Sequence, residues 1–248
     1  MFPIRDHNPS SRTPYVTIGL IALNLLIYVL TESWGGNMLR LWVENALYPL
    51  AITEGMRLPA LVTHMFLHGG LLHILGNMLF LWVFGDNMED QMGHAGFLVF
   101  YLACGMLAAL AQVVTDPYST VPMVGASGAI AGVMGGYLLL FPRARIDVIA
   151  IIIILIRRIV VPAWVILLVW FGLQLIMGLT SGADSGVAYW AHNGGFVAGI
   201  LLTLPLFLRR GGTAFWNRTR GQPPHPATKF RPSHIPEVRR DRRGGPRG

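Results

Sequence analysis

Six stretches of this chain contain no Asp, Glu, Lys or Arg: residues 13–31, 71–84, 95–114, 124–141, 160–179 and 187–208. Apolar runs of this kind have few places to go. Where water is absent, every backbone N–H and C=O must be satisfied within the segment, so runs approaching 20 residues are expected to cross a bilayer as helices. The chain is 53% hydrophobic and 12% charged, about half the charge of an ordinary soluble domain. The expected fold is an all-α polytopic membrane protein, a bundle of six transmembrane helices over residues 15–208. A short polar segment, 1–14, precedes it and a basic tail, 209–248, follows.

The connections carry their own signals. Arg5 and Arg12 before the first run imitate a signal peptide, but no small-residue cleavage site follows and the run is long enough to span. Met38 to Leu47, with Trp42 among polar neighbours, reads as an interfacial amphipathic helix. Gly85 to Asp90 reads as a tight polar turn between the second and third spans. Ile146 to Ile156 is β-branched, too short to cross and backed by Arg157 and Arg158, so it reads as extended or interfacial. Cys104, the one cysteine, has no intrachain partner and reads as a packing residue.

Basic residues set an orientation. With the N-terminus inside, the inner segments hold all of the 19 Lys and Arg except Arg40 and Arg57. Both termini of a six-span chain are then cytoplasmic, as in a bacterial-type plasma membrane. The tail from Arg209 is rich in Pro, Gly and Arg and is expected to be disordered, holding the inner surface through anionic headgroups. Its few aromatics and lack of a fold signal argue against a nucleic-acid partner.

Polar groups inside such runs need a reason. Ser127 stands in Gly125-Ala126-Ser127-Gly128 at the start of an apolar run, where the unpaired N–H groups of a first helical turn suit an oxyanion. Alone, that string is more often a helix-packing motif than a nucleophile. His192 opens another run, and Gly195 and Gly199 after it repeat the close-packing spacing of Gly128 and Gly132. Two helices meeting along these glycines would bring a hydroxyl and an imidazole to similar depth, a nucleophile and its base. His73 and Asn77 are four apart and share a helix face.

Taken together, Gly125-Ala126-Ser127-Gly128, Ala191-His192 with Gly195 and Gly199, and His68-x4-His73-x3-Asn77 resemble the rhomboid family of intramembrane serine proteases in order and separation. The resemblance covers roughly residues 15–208. It implies a six-span rhomboid-like protease core with a Ser127–His192 dyad, Asn77 and His73 as oxyanion donors beside the Ser127 N–H, and Gly125, Gly128, His68, Gly195 and Gly199 as structural motif residues. The chain departs from the family in two places. Pro59-Ala60 stands where many members carry Trp-Arg, with Arg57 only nearby, and Ala131 stands where many carry an aromatic residue four positions after the serine.

The expected function is an intramembrane serine endopeptidase cutting in or near transmembrane segments of single-span or other membrane proteins within the lipid bilayer. A helix hides its scissile carbonyl in hydrogen bonds, so easily unwound substrates are expected. The alternative is a catalytically inactive rhomboid-like scaffold or client-binding protein; a transporter would need ionisable residues at mid-membrane in several spans, and these runs contain almost none. No cofactor and no metal are expected. His64 and His68 have zinc-pair spacing but lack a third ligand nearby in the sequence.

Overall fold

The computed structural model describes residues 2–8, 10–33, 36–152, 155–181 and 186–223. A strand β1 (Phe2–Asp6) leads into a helix α1 (Tyr15–Ser33), which is followed by four shorter pieces. These are α2 (Gly36–Asn45), α3 (Pro49–Thr53), α4 (Ala60–Thr63) and a 3-10 turn at His64–Phe66. Then come α5 (Leu71–Met92), α6 (His94–Thr115), α7 (Ser127–Leu140), strands β2 (Arg145–Ile152) and β3 (Leu155–Pro162), α8 (Ala163–Thr180), α9 (Tyr189–Arg209) and α10 (Thr213–Thr219).

Among the described residues, five helices, α1, α5, α6, α8 and α9, are long and apolar enough to cross a membrane. The expected fourth span is instead the shorter α7, of 14 residues. Gly125, at φ +118, turns the chain just before Ser127, and the helix ends one residue before Phe141 and Pro142. At 1.5 Å per residue α7 reaches about 21 Å, well under the roughly 30 Å of a hydrocarbon core. It tolerates this because protein surrounds it: from Gly128 to Tyr137 every residue is buried. Irregular backbone at membrane depth is acceptable where it is covered by protein.

Two connections differ from expectation. The stretch Gly85–Asp90 is no turn; α5 continues to Met92 and the chain reverses at Gly93, φ 74. The polar residues there have work to do in a helix. Glu89 accepts the backbone N–H groups of Val16 and Thr17 at 2.9 and 2.8 Å and the Thr17 hydroxyl at 2.7 Å, so a carboxylate satisfies the orphan donors at the start of α1. Asn87 and Asn8 are buried, and Asn8 donates to the Tyr137 hydroxyl at 3.1 Å.

The β-branched run is extended, as read, but as part of a three-stranded antiparallel sheet of order β1-β2-β3. β2 and β3 form a hairpin from Arg145↔Pro162 to Ile152↔Leu155, and β1 pairs with β2 from Phe2↔Ile149 to Asp6↔Ile146. The short polar N-terminal segment is therefore tied into the fold through β1. Asp147 is buried in this sheet between His7, at 2.7 Å, and Arg158, and these partners hold its carboxyl below the usual range against the cost of burial. The tail also begins as structure: in α10, Phe215 is buried against Phe141 and Phe207, and Trp216 Nε1 donates to the Leu139 carbonyl at 2.9 Å. The expectation of disorder otherwise falls on residues 224–248, outside the described residues.

The core runs through the bundle around α7. Met65, Phe84, Phe97, Tyr101, Tyr137 and Phe196 are among its fully buried side chains. α9 lies against α7 through glycines on both. A Cβ on Gly199 would run into the carbonyl of Gly132, and one on Gly195 into that of Gly128. Such backbone-to-backbone contact is the geometry expected of small-xxx-small packing, and only glycine permits it here.

Candidate active site

The glycine seam between α7 and α9 decides where Ser127 and His192 lie. Ser127 is the first residue of α7 and His192 the fourth of α9, and His192 Nε2 is 2.8 Å from Ser127 Oγ. Both side chains are half-buried. Across the seam, Gly128 also meets α6, where a Cβ would press on Ala108. A larger residue at 195 or 199 would push the two helices apart and stretch this contact, and one at 128 would push α7 from α6.

The segment before Ser127 is fixed by backbone bonds. Leu47 and Met123 exchange N–H···O bonds at 3.0 and 2.8 Å, and the Gly125 N–H donates to the His64 carbonyl at 2.9 Å. Gly125 needs its glycine twice. Its φ lies in the left-handed region, and a Cβ would come within 2.7 Å of His73 Nε2.

α5 brings His73 and Asn77 to the same point. The Gly69 N–H donates to His73 Nδ1 at 3.3 Å, which leaves Nε2 as the protonated nitrogen facing Gly125. Asn77 Nδ2 would lie 3.7 Å from a Cβ on Gly125. Asn77 is buried and this donor has no partner among the described residues. An unpaired buried N–H is costly unless an acceptor arrives. His73 and Ser127 line a cavity of about 390 Å³ with His64, Val124, Gly128 and His192. A wider cleft of about 490 Å³, walled by Trp42, Gln112, Asp116, Ser181 and Trp190, shares His73, Met123 and Val124 with it.

His64 and His68 have different partners. His64 Nδ1 is 2.7 Å from the Ala60 carbonyl, while His68 packs edge-on against the His73 ring at 5.2 Å. Burial pushes each imidazole down to about 4, with the His73 ring adding to the effect at His68. Among the described residues no three His, Cys, Asp or Glu side chains converge as a metal site needs.

The altered first loop has its own fastening. Arg57 Nη1 donates to the Val43 carbonyl at 2.8 Å and its guanidinium lies over the Tyr48 ring, while Thr63 Oγ1 donates to the Asn45 carbonyl at 2.8 Å. The ring missing at Ala131 is supplied from another helix. Trp170 of α8 lies 5.9 Å from the His192 ring, centre to centre, inclined at 37°.

A rhomboid-domain family model matches residues 56–209. This chain belongs to the rhomboid family. Among similar proteins, rhomboid protease GlpG of Serratia proteamaculans is 28% identical over 192 residues, 77% of this chain and 63% of that one. Rhomboid protease GluP of Bacillus subtilis is 38% identical over 127 residues, covering 50% of this chain and 24% of its own. The putative rhomboid protease YdcA of Bacillus subtilis is 34% identical over 126 residues, 50% of this chain and 61% of that one. The chain thus spans less than two thirds of the length of these relatives. The family expectation from the motifs is met, and the fold of this rhomboid is mostly helical with apolar helices fit for a membrane.

One residue at the site of this rhomboid was not singled out from the sequence. Gln174 of α8 places Oε1 2.8 Å from His192 Nδ1. The signal was available: Gln174 is the only side chain with a full amide in an otherwise apolar run, 160–179.

Proposed function

We propose that this rhomboid is a serine endopeptidase that cleaves membrane-protein substrates in or beside their transmembrane segments. The observation that carries it is the 2.8 Å contact of His192 Nε2 with Ser127 Oγ in a cavity that adjoins a wider cleft through His73, Met123 and Val124. Ser127 Oγ attacks the scissile carbonyl carbon while His192 Nε2 takes its proton. The oxyanion accepts hydrogen bonds from Asn77 Nδ2, His73 Nε2 and the Ser127 N–H at the positive end of α7. The C–N bond then breaks as His192 returns the proton to the leaving amine. Water, deprotonated by His192, releases the new carboxyl group and restores Ser127. The relatives named as rhomboid proteases support this reading.

Orientation is part of the proposal. The distribution of Lys and Arg supports a cytoplasmic N-terminus, in a bacterial-type plasma membrane, with the Ser127 end of α7 toward the outer face. Because α7 is short, the cut falls below the outer surface, where a helical substrate must unwind to present its carbonyl.

The test is cleavage of single-span substrates in liposomes together with fluorophosphonate labelling. Ser127→Ala and His192→Ala each abolish cleavage with the fold retained, and the double variant is no worse than either single. Asn77→Ala lowers kcat by about 10- to 1,000-fold, as for one oxyanion donor among several. Folded wild-type protein that neither cleaves nor labels would instead be an inactive scaffold.

A further inference from the structure

Gln174 sits within α8, whose sequence AWVILLVWFGLQLIMGLT carries no charge, and its half-buried amide reaches His192. We propose that Gln174 is a positioning residue for the base: its Oε1 accepts the His192 Nδ1–H, which holds the tautomer with Nε2 unprotonated toward Ser127. This rests on the serine-protease reading of the site. A neutral imidazole has one N–H. For Nε2 to receive the Ser127 proton, that N–H must be on Nδ1, and Gln174 Oε1 is the acceptor standing there. Without it the N–H faces an apolar helix interface, and the ring is free to place its proton on Nε2, where it blocks the transfer.

Trp170 and Gln174 are four apart on one face of α8 and both reach the imidazole, Trp170 by a tilted ring contact and Gln174 at the Nδ1 edge. An amide is the suitable group. A carboxylate here would put a fixed charge among apolar helices, whereas Gln supplies the acceptor without that cost. When Nε2 gains the serine proton, both ring nitrogens carry hydrogen and Oε1 continues to accept from Nδ1. The imidazolium gains less stabilisation than a carboxylate would give, so it returns its proton readily to the leaving amine. The groups facing the ring are Ser127 from α7, Gln174 and Trp170 from α8 and His73 from α5, and Asp116 lines the outer cleft.

The experiment compares wild type, Gln174→Met and Gln174→Glu in liposomes, with kcat and KM separated across pH 5 to 9 and melting followed in detergent. Gln174→Met keeps the length and removes the acceptor. It should lower kcat and the fluorophosphonate labelling rate by about 10- to 100-fold, the effect of stranding one buried N–H, with KM little changed. Gln174→Glu restores an acceptor and adds charge, so it should recover part of kcat and move the acidic limb of kcat/KM upward by about 1 pH unit or more. A Gln174 that only packs α8 against α9 predicts no such movement. Wild-type kcat in a folded Gln174→Met, or an unmoved acidic limb in Gln174→Glu, overturns the positioning role while Ser127→Ala remains inactive. Cleavage surviving in Ser127→Ala overturns the serine reading itself and this proposal with it.

Discussion

Burial keeps the imidazoles of His64 and His68 uncharged at neutral pH, each pushed down to about 4. A histidine unfolds to an ordinary value near 6.5, so between about 6.5 and 4 the unfolded chain binds more protons and acid destabilises the fold. Asp6 works the other way, since burial pushes its carboxyl up to about 6 and the folded chain holds that proton longer. The His68→Phe variant isolates one side of this balance: it keeps a ring against His73 and removes the titration. Its melting temperature in detergent should fall less steeply than wild type between pH 6.5 and 4.5, and an equal slope would show that His68 is not held neutral. At this scale Ser127, His192, His73 and Asn77 were legible because each sits at helical spacing from glycines or another polar residue in an apolar run. Gln174 stands out in the sequence only as a lone amide in an apolar run, and neither its role nor that of Trp170 is visible until the helices are packed and the partner, His192, is beside them.

The seam between α7 and α9 holds at the level of backbone, with carbonyls of one helix occupying the space of absent side chains on the other. Gly199→Ala should therefore lower stability by about 1–3 kcal/mol and reduce cleavage as Ser127 and His192 part. Gly172→Ala on α8 is the control, because a Cβ there meets nothing within 4 Å. It should be neutral or slightly stabilising, because alanine is the better helix former, and an equal loss in both variants would mean that the seam does not set the effect. The glycine repeat made this packing readable in advance. The lengths of α5 and α7 were less readable: composition sees that Val124 is apolar and Asp86 polar, but not that Gly125 adopts a left-handed turn or that Glu89 satisfies the first turn of α1.

Across the whole molecule the basic tail divides in two. Ending the chain at residue 223 should leave melting and cleavage unchanged, whereas ending it at 210 removes Phe215 and the Trp216 bond to Leu139 and should lower the melting temperature by about 5 °C or more. Equal melting of the two truncations would mean that α10 adds nothing to the core. The membrane class and the six apolar runs followed from charge distribution alone, but the sheet did not, because its pairing joins residues far apart in sequence. That pairing has a consequence in time. β1 meets β2 only through contacts such as Phe2↔Ile149, so at translation rates of 5–20 residues per second the first strand waits on the order of 10 s for its partner to be made. Helices can enter the bilayer one after another during that interval. β1 is thus made well before the strand it pairs with, and its place in the sheet waits on a contact between residues far apart in the chain.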